Sequence, residues 1–191
     1  MDHYIDIKLL PDPEFPPTML MNALFAKFHK GLIDHGGGDI GISFPEISQG
    51  TRTLGQRLRI HGNKDSLDRL MSLSWMQGIR DLVTTMPIQP VPDGAGYRVV
   101  RRVQAKSSPE RLRRRLMARK GIGMEAARVA IPDCAAEILD LPFVEVTSRS
   151  TGHRFRVFIE HGKLKPTATS GAFSSYGLSA TATVPWFQSL S

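Results

Sequence analysis

Between Tyr4 and Val91 the hydrophobic period switches between two and about 3.6 in one particular order, and that order restricts the folds open to the chain. Tyr4 to Leu10 sets Ile5, Ile7 and Leu9 against Asp6 and Lys8, the rhythm of a strand, and the segment PDPEFPP stops it. Pro17 can open a helix running to about Asp34. Leu20, Met21, Leu24, Phe25, Phe28 and Leu32 form its core-facing stripe, and Gly36 to Gly38 end it. Ile40 to Phe44 and Leu54 to His61 read as strands joined by a polar loop. Asn63 or Asp65 can cap a second helix through about Leu73, after which Ile79 to Val91 is extended and interrupted by prolines. Strand, helix, strand, strand, helix, strand is the ferredoxin-like pattern. The expected class is therefore α+β, with a ferredoxin-like domain over residues 1–94 and Pro87 to Gly96 as the candidate linker.

Residues 95–191 are expected to form a second region containing a helix rich in arginine and a β-hairpin. The helix is Ser107 to Lys120, SSPERLRRRLMARK: Ser107 with Glu110 fits a capping box, or Ser108 caps with Pro109 at the first helical position, and Gly121 can end it. Met124 to Ala130 reads as a short helix ended by Pro132, and Asp133 to Asp140 as another. Phe143 to Ser148 and Arg154 to His161 read as strands joined by Arg149, Ser150, Thr151 and Gly152. The end, through Tyr176 to Trp186 and Phe187, is rich in Ser, Thr and Gly and reads as irregular.

Charge separates the two regions. Up to Gly94 there are 9 Lys and Arg against 11 Asp and Glu, a net −2; the remainder holds 16 against 7, a net +9. At about 100° per residue, Leu112 and Leu116 form a narrow apolar seam while Arg111, Arg114, Arg115 and Arg119 share a separate arc. A solvated helix face usually mixes signs to gain pairs three or four residues apart, and here Glu110 is the only acid available. Like charges so dense repel unless a polyanion neutralises them, which favours nucleic acid. No basic helix with a wide apolar face accompanies them, which weakens a membrane reading.

Other classes are excluded or lose support. Cys134 is the only cysteine, so an internal disulfide or a cysteine metal cluster is impossible, and it reads as a small buried hydrophobe. No HExxH or comparable metal spacing appears, and neither a metal nor another cofactor is expected. No apolar run is long enough to span a bilayer and no basic leader precedes an apolar segment, so a cytoplasmic protein is expected.

Before the arginine helix, RVVRRVQAK places Arg102, Gln104 and Lys106 on one side of an extended segment. Arg and Gln make bidentate contacts to guanine and adenine edges, although an ordinary edge strand with polar side chains outward fits the segment equally well. The A-form major groove is too narrow for base reading, so such contacts belong at the end of a stem. His29 lies at the edge of the first helix's apolar stripe, one turn after Phe25; alone it reads as a boundary histidine. Ser148, Ser150 and Phe155 read as hairpin residues and Tyr176 as a loop aromatic.

Longer motifs carry a resemblance. MDHYIDIKLLPDPEFPP, the helix ending FHKG, RVQAKSSPERLRRRLM, STGHRFRVFI, and YGLS with a closing VPWF are together similar to the CRISPR-associated endoribonucleases of type I-F systems, over nearly the whole chain. The resemblance implies a ferredoxin-like N-terminal domain and an arginine helix that enters the major groove of a repeat hairpin in precursor CRISPR RNA. His29 would be the catalytic histidine, Ser148 would position the nucleophilic hydroxyl, and Tyr176 would orient the histidine. Arg102 and Gln104 would read bases at the foot of the stem and Phe155 would stack on its terminal pair. Arg114, Arg115 and Arg119, with Arg111 and Arg113 nearby, would contact phosphates. Lys106 and Ser150 are further RNA-binding candidates. Ala118 departs from the family, whose basic face commonly continues there.

The implied chemistry needs no metal. RNA carries its own nucleophile, and removing the proton from a 2′-hydroxyl aligned with the adjacent phosphorus yields a 2′,3′-cyclic phosphate and a 5′-hydroxyl. An ordinary histidine, with a pKa of about 6.5, is mostly neutral near pH 7 and suits the base role. The implied partners are the repeat hairpin, retained after cutting, and the other subunits of the type I-F surveillance ribonucleoprotein. The competing readings are a non-catalytic RNA-hairpin assembly subunit and a DNA-binding regulator, the latter without a helix-turn-helix partner in the sequence.

Overall fold

A computed structural model describes residues 1–47, 52–104, 109–132, 139–147 and 152–188. The chain is α+β, with two antiparallel sheets and, among the described residues, four α-helices. It divides into two compact units, residues 1–102 with 141–191, and residues 103–140. The sequence division at residue 94 follows the ferredoxin-like pattern and the Pro- and Gly-rich stretch after it; this one follows packing, in which the later strands belong to the first unit.

In the larger unit, β1 (His3–Leu9), β2 (Gly41–Ser43), β3 (Arg57–Gly62) and β4 (Val83–Thr85) pair in the order β2-β3-β1-β4, with β5 (Gln89–Pro90) also on β1. α1 (Pro17–His35) follows β1, and α2 (Lys64–Ser72) follows β3. α1 has Pro17 at its start and ends on Gly36 at φ 75°, a left-handed cap whose N–H donates to the Leu32 carbonyl. Its buried residues include all six of the expected apolar stripe. At the start of α2, Asn63 rather than Asp65 is the cap, its side chain accepting from the Ser66 N–H at 2.7 Å. A 3₁₀ turn at Ser74–Met76 follows α2, and the stretch expected to be extended from Ile79 makes another at Arg80–Leu82 before β4. Their i→i+3 bonds are too short-range to leave a readable period.

One face of this sheet buries Ile5, Ile7, Leu58 and Ile60, all at or below 1% exposure. The opposite face is covered in part: Lys8 is exposed there, whereas Asp6 is buried. Asp6 and Arg59 are both buried there and form a bidentate pair, Nε to Oδ1 at 2.7 Å and an Nη to Oδ2 at 2.8 Å. The other Nη of Arg59 donates to the Phe187 carbonyl at 2.9 Å, and the guanidinium lies 3.9 Å from the Phe187 ring centroid and 4.8 Å from that of Tyr4. The C-terminal segment is thereby fastened across the sheet.

The second sheet has the order β7-β8-β6-β9, built from β6 (Gly96–Val103), β7 (Phe143–Thr147), β8 (Arg154–His161) and β9 (Thr183–Trp186). β9 lies where the sequence reads as irregular. It gains its extended form from pairing with β6, Thr183 opposite Val99 and Pro185 opposite Tyr97, and at a sheet edge a proline leaves no central ladder bond unmade.

Two buried histidines give this unit a pH-dependent stability. His61 is fully buried, with Nε2 2.8 Å from the Ser43 hydroxyl, and burial followed by the nearby Arg59 charge hold its pKa well below the usual value. His161 Nε2 accepts from the Phe44 N–H at 3.2 Å, and burial followed by Arg98 lower its pKa to about 4. Both rings stay neutral in the folded protein at pH values where the unfolded chain already binds protons. Their contribution is therefore complete above about pH 6.5 and is lost as pH falls toward 4, with a slope of about 1.4 kcal/mol per pH unit for each group titrating only in the unfolded chain. Urea midpoints at pH 7 and pH 5 should show this fall, and His161→Gln should remove one histidine's share of it.

In the smaller unit, α3 (Pro109–Lys120) and α4 (Met124–Ala130) form a helical pair. α3 ends at Gly121, φ 63°, whose N–H donates to the Met117 carbonyl. The helix expected over Asp133 to Asp140 falls mostly on residues outside those described.

Candidate active site

The site is built on α1. His29 follows the fully buried Phe25 by one turn, so its Cα is fixed by core packing while its ring reaches the rim. The ring is stacked on Tyr176, centroids 4.0 Å apart and planes 8° from parallel. Its Nδ1 lies 2.6 Å from the Ser175 carbonyl oxygen. A carbonyl only accepts, so Nδ1 carries the hydrogen, and in the neutral ring Nε2 keeps its lone pair. The arrangement can take a proton at Nε2 and holds the resulting imidazolium against a fixed dipole.

The segment carrying Ser175 and Tyr176 is fixed by backbone bonds to distant parts of the unit. Phe173 N–H donates to the Gly38 carbonyl at 2.9 Å, Ile42 N–H to the Gly177 carbonyl at 3.0 Å, and Ser179 N–H to the Val100 carbonyl at 3.0 Å. Gly177 closes the turn at φ 69°, and a Cβ there would meet Ile42 at 3.0 Å and Phe28 at 3.2 Å. Both the conformation and the space require glycine. Gly177→Ala should cost about 1–3 kcal/mol of stability through backbone strain and lower activity by releasing the His29 ring. Thermal melting beside an activity assay checks both, and an unaltered protein would mean that the turn tolerates a side chain.

β6 supplies Arg102 from the same strand face as Arg98 and the buried Val100. Its guanidinium carbon lies 5.6 Å from the Phe155 centroid on β8 and 5.9 Å from that of Tyr176. Neighbouring arginines are engaged otherwise: Arg98 stacks over Trp186 at 4.6 Å, and Arg101 donates to Glu160 at 2.7 and 3.0 Å. On the helix side, the Asn22 side chain accepts from the Glu145 N–H at 2.9 Å, tying β7 to α1. β7 ends at Thr147, which with His29, Phe155 and Tyr176 lines a cleft of about 710 Å³.

His29, Tyr176, Phe155 and Arg102 are thus brought together. Ser148, Ser150 and Lys106 lie outside the described residues. Gln104 is exposed just beyond the end of β6. In the smaller unit, Arg111, Arg114, Arg115 and Arg119 are exposed along α3, whereas Arg113 is buried and its Nε donates to the Ile131 carbonyl at 2.7 Å. Ile131 caps α4, so Arg113 braces the two helices. Its turn angle places it near Met117, which lines a small cleft with Met124 and Arg128 of α4, and away from the exposed arc. Among the described residues no three His, Cys, Asp or Glu side chains converge as a metal-binding group, and no helix is long and apolar enough to cross a membrane.

Comparison with known proteins shows the family. The model of a family of CRISPR-associated proteins, Cas_Csy4, matches residues 4–187. The chain belongs to the Csy4 family. A CRISPR-associated endonuclease Cas6/Csy4 of Pseudomonas aeruginosa is 53% identical over 187 residues, covering 98% of this chain and all of the relative. Another of the same description, from Escherichia coli, is 47% identical over the same shares of both chains. In this Csy4-family chain, sequence reasoning without the resemblance missed Ser175 and Gly177, whose roles are a carbonyl and a backbone angle. It also missed Asn22, which carries no periodic signal. The pair Tyr176-Gly177 was the available sign of a tight turn beside an aromatic.

Proposed function

We infer that this Csy4-family protein is an endoribonuclease that binds the repeat stem-loop of precursor CRISPR RNA and cuts at the 3′ base of the hairpin. The observation that carries the reading is the His29 ring, held through Nδ1 by the Ser175 carbonyl and stacked on Tyr176, with Nε2 left to accept a proton in a cleft shared with Phe155. His29 removes the proton of the 2′-hydroxyl before the cut, and that oxygen attacks the adjacent phosphorus. The P–O5′ bond breaks and the departing oxygen takes a proton from water, leaving a 2′,3′-cyclic phosphate on the hairpin and a 5′-hydroxyl on the released strand, while the His29 imidazolium returns its proton to the solvent. Ser148 orients the hydroxyl and Tyr176 the imidazole; positioning of this kind supplies much of the barrier reduction. The step requires no metal.

Phe155 stacks on the terminal base pair, and Arg102 and Gln104 read the foot of the stem. The exposed Arg111, Arg114, Arg115 and Arg119 contact phosphates across the groove, while Lys106 and Ser150 add further RNA contacts. The β2-β3-β1-β4 order with its two intervening helices supports a ferredoxin-like layout for the catalytic region. Because the cut leaves the stem intact, the protein keeps its product and joins the surveillance ribonucleoprotein as a subunit, in the cytoplasm.

The test is cleavage of the cognate repeat hairpin in EDTA, beside the same RNA with a 2′-deoxy nucleotide before the cut. Cutting that survives EDTA and stops with the deoxy substrate is expected. Tight binding of both RNAs with neither cut would instead identify a non-catalytic assembly subunit.

A further inference from the structure

The cleft is larger than the chemistry at His29 needs. Its about 710 Å³ falls in the range that encloses a whole small ligand, whereas one 2′-hydroxyl and one phosphate occupy only the end beside Tyr176 and Phe155. The other end runs along α1 and against the 3₁₀ turn at Ser74–Met76, and it is lined by Lys27, Lys30, Asp34, Ser74, Trp75 and Gln77.

We propose that this end is a subsite for the single-stranded RNA immediately 3′ of the cut, with Lys27 and Lys30 holding its backbone phosphates. The proposal rests on the cleavage reading above. With the stem base against Phe155 and the scissile phosphate at His29, a continuing strand has to leave by the end of the cleft away from Phe155. There the wall presents two lysines against one carboxylate, Asp34, one turn after Lys30. Lys30 is exposed on the residue following the catalytic histidine. Lys27 is half-buried and its Nζ is held at 2.5 Å by the Gln77 carbonyl, which keeps a cation at the rim without neutralising it. Trp75 is seated so closely on Gly31 that a Cβ there would lie 2.8 Å from its Cγ, and its buried indole N–H has no acceptor among the described residues. Such a subsite aligns the leaving 5′-oxygen by gripping the strand that departs, and two lysine contacts are weak enough to release it after cleavage.

The experiment compares two forms of the repeat hairpin, each with 2′-deoxy before the cut: one ending a single nucleotide after it, the other carrying a 3′ tail of unpaired nucleotides. Affinity is measured across salt concentrations for the natural protein and for Lys27→Ala/Lys30→Ala. For the natural protein the tail should tighten binding and steepen the dependence of log affinity on log salt by about 0.7 for each phosphate held. In the double variant the tail's advantage should vanish. Lys30→Ala alone, an exposed substitution, should lose part of it should the double variant melt abnormally. Equal affinities of the two RNAs for the natural protein, or an advantage that persists in both variants, would overturn the proposal. Failure of the cleavage reading is separately visible, as absence of cutting of the all-ribose hairpin.

Discussion

Replacing His29 with alanine should lower cleavage of the repeat hairpin by about 10²- to 10⁴-fold, the loss typical of a missing general base, while hairpin binding stays nearly intact. The division follows from the geometry. His29 is half-buried on α1 with its Nδ1 committed to the Ser175 carbonyl, and no hydrogen bond holds Nε2 among the described residues. The arginines expected to grip the stem are on α3, in the other compact unit. Single-turnover cleavage and filter binding on the same variant separate the two quantities. Cleavage at the natural rate would reject His29 as the base, and a parallel loss of binding would make it a contact residue instead.

The largest stability effect is expected from Asp6→Ala. That substitution strands Arg59, which is 1% exposed, and uncompensated buried charge left by removing one partner costs about 3–5 kcal/mol. The aromatic faces of Tyr4 and Phe187 and the Phe187 carbonyl remain against the guanidinium, which places the cost toward the lower end of that range. Arg57, 3.2 Å from Asp6, loses an ion pair as well but keeps Glu46 at 3.3 Å. Urea unfolding at neutral pH gives the number. A loss under about 1 kcal/mol, the worth of a surface pair, would show that water reaches the guanidinium. Replacing Asp6 and Arg59 together by apolar residues of similar volume should restore most of the stability, since the pair's attraction chiefly repays its own desolvation. Activity should fall with Asp6→Ala alone, because Arg59 fastens the C-terminal segment that includes the Tyr176 turn.

How much was legible differs by element. The α1 stripe was read residue for residue because a long amphipathic helix repeats its signal over several turns, and its stop at Gly36 is a local glycine requirement. β8 was read to its ends for a similar reason, two strands flanking a Gly-containing link. β9 was not legible, since its extension comes from β6 beside it. The burial of Asp6 was not legible, because alternation reports which residues share a face and says nothing of what covers that face. His29 carried no signal of its own. Only longer motifs shared with a family pointed to it, and its tautomer was visible in no motif.

The sequence by itself determined the α+β class, the positions of the principal helices, the net positive charge of the second half and the family to which the chain belongs. These rest on local periodicity, capping chemistry and composition, which are properties of neighbouring residues. Only the tertiary structure decided which nitrogen of His29 is held by a carbonyl, that Arg113 braces a helix pair while its neighbouring arginines are exposed, and that the cleft extends past the histidine to Lys27, Lys30 and Trp75. Each of these depends on atoms brought within a few ångströms by residues distant in the chain: Ser175 reaches His29, Ile131 reaches Arg113, and Gln77 reaches Lys27. A hydrogen bond acts over about 3 Å of space whatever the separation along the chain, so the fold alone could assign them.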